Sequence, residues 1–79
     1  MAIRSKAKAD LVAIGLRIRK LRGSMLQEEL ASELAITQGH LSKIEGGKIA
    51  PSIDVLIFLS DRFRKSVDWI VRGESSSSI

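Results

Sequence analysis

Cysteine and tyrosine are absent from this chain, and histidine and proline occur once each. Without cysteine there is no disulfide to staple a small fold and no thiolate to hold zinc. The lone histidine, His40, has no ligand partners near it, so neither a metal nor a cofactor is expected. Acid–base catalysis usually wants a histidine oriented by a second group, or paired carboxylates in a pocket. A chain of 79 residues has a thin core with little room for such a pocket, so an enzyme is not expected. Long apolar runs are missing as well. The longest covers residues 55–59, against roughly 20 for a membrane-spanning helix. The N-terminus carries charges where a signal peptide needs its apolar stretch. The expectation is a cytoplasmic protein without membrane association.

What is present is a globular composition, 44% hydrophobic and 28% charged, with an uneven distribution of charge. Residues 1–23 hold seven basic groups against Asp10 alone, whereas residues 24–79 hold six basic and eight acidic groups. A basic third on a small domain suggests a polyanionic partner, although a solvated tail and helix face explain it equally well.

Residues 1–9 are polar, basic and aperiodic and read as a flexible arm. From Asp10, an N-cap, Leu11, Ile14, Ile18 and Leu21 form one apolar helical stripe that ends at Gly23. Gly15 inside it either weakens the helix or allows a close helix contact. Ser24-Met-Leu-Gln27 has the form of a capping box for a second helix through Leu34, with Leu30, Ala31 and Leu34 inward. Thr37 caps a third, from Gln38 to about Glu45, whose apolar pair is Leu41 and Ile44. Ser52 caps a fourth with the stripe Ile53, Leu56, Ile57, Leu59 and Phe63. Ser66 caps a fifth, which buries Val67, Ile70 and Val71 and ends at Gly73. Residues 10–73 thus form one all-α domain of five helices, and residues 74–79 read as a disordered polar tail.

Two short helices separated by a three-residue break have the form of a helix-turn-helix. Ala31 lets the second helix cross the first closely. Ile36, Leu41 and Ile44 pack inward, and the other face of the 38–45 helix is left polar and free to enter a major groove.

With Ile18-Arg-Lys-Leu-Arg22, Gln27-Glu-Glu-Leu-Ala31, Thr37-Gln-Gly-His-Leu-Ser-Lys-Ile-Glu-Gly-Gly-Lys48, Pro51-Ser52 and Ser66-Val-Asp-Trp69 in this order and spacing, the chain resembles the DNA-binding domain of phage repressors of the lambda Cro and CI type, the XRE family. The resemblance covers about three quarters of the chain. It implies a compact lambda-repressor-like fold, a homodimer, and sequence-specific binding of double-stranded DNA. The chain departs from the family in a shorter loop at residues 23–26, in Ala35 where glycine is common in a left-handed turn, and in Arg64 and Lys65 before the last helix.

Gln38, the first exposed residue after the cap, is suited to bond adenine bidentately, and similar repressors read bases from this position. Lys43 lies about 140° further round and reaches guanine or a phosphate. His40 and Ser42 are further candidates for base or phosphate contact. Gly39 either lets the backbone approach the base edges or makes no contact. Gln27 resembles the family's phosphate-binding glutamine, whereas a capping box would turn it inward to Ser24. Lys48 sits where the family's loop holds the other phosphate strand, and Thr37 joins the phosphate set. Arg22 and Glu45 resemble the family's structural arginine–glutamate pair, with Arg22 also placed to touch phosphate.

Val55 and Phe58, where similar proteins often carry threonine and lysine, form an apolar i, i+3 pair. Together with Trp69 they are the candidate dimer interface, unless the thin core recruits Phe58 for itself. The reading is a homodimeric regulator of repressor type that binds a pseudo-palindromic operator through the major groove. The alternative is an antitoxin or switch component whose main partner is another protein.

Overall fold

The computed structural model describes residues 9–73. The helices are α1 (Leu11–Arg22), α2 (Gln27–Leu34), α3 (Gln38–Glu45), α4 (Ile53–Phe63) and α5 (Val67–Arg72), with no strand among the described residues. Residues 1–8 of the expected arm and the whole of the expected tail lie outside the described residues.

Four helices start on the side-chain caps expected of them. Asp10 accepts from the Ala13 N–H at 3.1 Å and Thr37 from His40 at 3.0 Å. Ser52 accepts from Val55 at 3.1 Å and Ser66 from Trp69 at 2.9 Å. The start of α2 differs from the expected capping box. The Met25 N–H donates to the Arg22 carbonyl at 3.0 Å, which turns the short loop so that Leu26, not Ser24, precedes the helix. The Leu26 N–H is satisfied instead by the Glu29 carboxylate at 3.0 Å.

The core is one cluster: Ile14 and Ile18 of α1, Leu30 and Ala31 of α2, Leu41 and Ile44 of α3, Val55, Leu56 and Leu59 of α4, and Ile70 of α5. Gly15 serves a close approach. A Cβ there would stand 2.6 Å from the Ile44 carbonyl oxygen, so α1 and α3 meet backbone to backbone. Arg17 is absorbed into the fold. Its guanidinium donates to the Ile70 carbonyl at 2.8 Å and the Val71 carbonyl at 3.1 Å, satisfying groups left open at the C-terminal end of α5.

The inward face of α4 is rotated from the one expected. Ile53 and Ile57 are 68% and 50% exposed, while Val55 is only 6% exposed and belongs to the core. Every residue of α4 from Val55 to Leu59 is apolar, so periodicity selects no unique face. Neighbouring helices select it: α5 packs against α4, and Val55, Leu56 and Leu59 join the shared core, while the exposed Arg62–Glu33 pair at 2.8 Å accompanies this rotation. The expected patch of Val55 with Phe58 therefore does not exist. Val55 is buried, and Phe58 is half-buried in a groove with Leu34 and Ile36.

Two corners use left-handed backbone without glycine. Ala35 has φ 59° and ψ 38°, and Arg64 has φ 60° and ψ 41°. The left-handed turn expected at Ala35 is therefore present without glycine, at a cost of about 1 kcal/mol.

Candidate nucleic-acid interface

Helices α2 and α3 pack against each other through the turn at residues 35–37. The small Ala31 is buried at this crossing, and the Ile36 N–H returns to the Ala31 carbonyl at 3.0 Å. Leu41 and Ile44 are fully buried, which fixes the rotation of α3 about its axis. Gln38, Gly39, His40, Ser42 and Lys43 are all exposed on the remaining surface. Thr37 is exposed beside them, with its hydroxyl engaged as the cap.

A hydrogen-bonded chain ties this surface to the interior. Glu45, 7% exposed, receives two parallel bonds from Arg22, Nε to Oε2 at 2.7 Å and Nη2 to Oε1 at 2.9 Å. Arg22 also donates from Nη1 to the Met25 carbonyl at 2.7 Å, which pins the loop before α2. Gln27 donates from Nε2 to Glu45 Oε1 at 2.9 Å. That bond turns the Gln27 carbonyl oxygen outward, where it accepts a long hydrogen bond from Gln38 Nε2 at 3.4 Å. The hydrogen bond from Arg22 to Glu45, reinforced by the carboxylate charge, raises the Arg22 pKa against the opposing effect of burial. The guanidinium stays charged at any working pH.

The expected Arg22–Glu45 pair forms. The inward alternative for Gln27 does not, because its amide is held by Glu45 and Gln38 rather than by Ser24. Lys48 is exposed in the loop after α3, and its backbone N–H donates to the Lys43 carbonyl at 2.9 Å. Arg22, Gln27, Gln38 and Ser42 line one groove, together with Arg19 and Ser24. These last two escaped sequence reasoning. Arg19 was one of several cations on α1, and only the position of α3 distinguishes it from Arg17.

Trp69 is half-buried against the core, and the Lys65 ammonium sits 4.9 Å from the centroid of its ring. Of the three residues expected at a dimer surface, Val55 is buried at the base of the groove that Phe58 lines, and Trp69 lies on α5.

A family model described as helix-turn-helix matches residues 16–70. The P22 c2 repressor protein, in a crystal structure with synthetic operator 9T, is similar, with a TM-score of 0.71 and 25% sequence identity. That similarity covers 77% of this chain and 96% of the repressor chain. The restriction-modification controller protein C.AhdI from Aeromonas hydrophila is similar with a TM-score of 0.67 and 25% identity. It too is matched over 77% of this chain and 96% of its own. No curated protein sequence matches.

Proposed function

The chain belongs to the helix-turn-helix family, with the fold of the lambda Cro and CI type, and from that premise we propose that it is a DNA-binding transcriptional regulator. In this reading α3 enters the major groove. Gln38 reads adenine, Ser42, His40 and Lys43 meet neighbouring base edges or phosphates, and Gly39 faces the groove floor. Gln27, Thr37, Lys48 and Arg22 hold the phosphate strands, with Arg19 beside them.

One observation carries the reading. The five positions of α3 that face outward are all exposed and none is a large apolar residue, while the inward ones are locked by packing and by Glu45. A helix rotated in this way presents hydrogen-bonding groups with no partner in the domain except Gln27.

A single recognition helix reads only a few base pairs, too few for selectivity in a genome. The regulator therefore acts as a homodimer on a pseudo-palindromic operator, with half-sites about 34 Å apart. Trp69 is the anchor of the symmetric contact. Ile53 and Ile57, the exposed apolar residues of α4, take the place that Val55 cannot fill.

Selection of bound sequences from a random duplex pool tests the proposal. The expected result is a two-fold related pair of short half-sites with centres about one helical turn apart. Failure to enrich any sequence refutes the reading, and enrichment of a single unpaired half-site refutes the dimer.

A further inference from the structure

On a helical wheel of about 100° per residue, Gly39 falls about 170° from the middle of the buried trio Leu41, Ile44 and Glu45. The centre of α3's outward face is therefore the one position without a side chain. Glycine is a poor choice there, because it weakens a short helix relative to alanine. Nothing inside the domain requires it. A Cβ built on Gly39 would have Thr37 Oγ1, at 4.0 Å, as its nearest neighbour, and the residue is not among those with positive φ. Gly15 is the opposite case, since its Cβ would run into the carbonyls of α3. Nothing among the described residues accounts for Gly39, which points to what α3 meets.

The neighbours of Gly39 indicate what meets it. Gln38, His40, Ser42 and Lys43 each offer a side-chain hydrogen-bonding group, whereas Gly39 offers no side chain: besides its first-turn backbone N–H it presents the bare Cα and the open space beside it. Among base edges in the major groove, the C5-methyl of thymine is the one bulky apolar group. It matches the open space that the missing Cβ leaves beside the Gly39 Cα. Resting on the DNA-binding reading above, we propose that Gly39 is a steric specificity determinant. Its missing side chain seats a thymine C5-methyl where a Cβ would otherwise stand, and this lets α3 sit deep enough for the short Ser42 side chain to reach a base.

The test is a four-way cycle on the full chain. The operator is the sequence selected by the wild type, and each of its thymines is replaced singly by uracil, which removes only the methyl. Gly39→Ala should raise the melting temperature of the free protein by about 4 °C. It should weaken binding to the thymine operator by about tenfold or more. One uracil position per half-site should restore most of that loss in Gly39→Ala while changing wild-type binding only slightly. A Gly39→Ala protein that binds the thymine operator as tightly as wild type overturns the proposal. So does a loss that no uracil position relieves, or a selected half-site without thymine. If the wild type selects no sequence at all, the regulator reading itself fails, and this proposal fails with it.

Discussion

Arg22 holds Glu45 through two parallel hydrogen bonds, at 2.7 and 2.9 Å, and thereby joins the last turn of α1 to the last residue of α3. Both side chains are largely withdrawn from water, at 14% and 4% exposed. The carboxylate also orients Gln27, and through it Gln38, so one buried charge sets the geometry of two residues of the candidate interface.

Removing one partner of this pair leaves a buried charge without its counterion. Arg22→Ala should destabilise the domain by about 3–5 kcal/mol, measured by urea unfolding. The double variant Arg22→Met with Glu45→Leu should recover most of that stability, because it removes both charges together. A single variant costing less than about 1 kcal/mol would show that the pair does not carry the fold at this junction.

Gln38 and Lys48 should fail differently. Gln38→Ala should cost about 1–3 kcal/mol of operator affinity and relax the preference at one position of each half-site. Lys48→Ala should weaken all sequences about equally and make the salt dependence shallower by about one unit of slope. If the wild-type dimer neutralises about six phosphates, log K against log salt should fall with a slope near −5. Titrations at several salt concentrations measure both quantities. Identical behaviour of the two variants would contradict the separation of base and phosphate roles.

Ala35 adopts a backbone conformation that favours glycine. Ala35→Gly should therefore stabilise the domain by about 1 kcal/mol and raise its melting temperature by several degrees. An unchanged or lowered melting temperature would mean that the left-handed turn carries no strain.

Ile57→Glu and Val55→Glu separate the surface of α4 from its core. Val55→Glu buries a charge among Leu56, Leu59 and their neighbours, and circular dichroism should show the helices lost or melting far lower. Ile57→Glu should leave the fold intact, since the side chain is half in water. Combined with Trp69→Ala, it should give a folded monomer by sedimentation. A double variant that stays dimeric places the symmetric contact elsewhere.

Much of this protein was legible in its residues because the signals are local. Asp10, Thr37, Ser52 and Ser66 mark helix starts by bonding a backbone N–H three residues away, a reach that needs no tertiary partner. The spacing of Leu41 and Ile44 determined which face of α3 turns inward, and so which residues remain outside. The ordered pieces from Ile18 to Trp69 carried the family. Tertiary structure decided what composition leaves degenerate. In α4, apolar residues nearly all round the helix give no preferred rotation, and packing against α5 and the shared core chose to bury Val55 and expose Ile57. Arg17 and Arg19 are chemically alike and two residues apart, yet Arg17 closes the end of α5 while Arg19 lines the groove beside α3. At Gln27 the choice between Ser24 and Glu45 went to Glu45. A capping box would have the Gln27 carbonyl oxygen accept from the Ser24 N–H; instead the folded chain brings Gln27 Nε2 within 2.9 Å of a carboxylate held by Arg22, a charge-assisted bond.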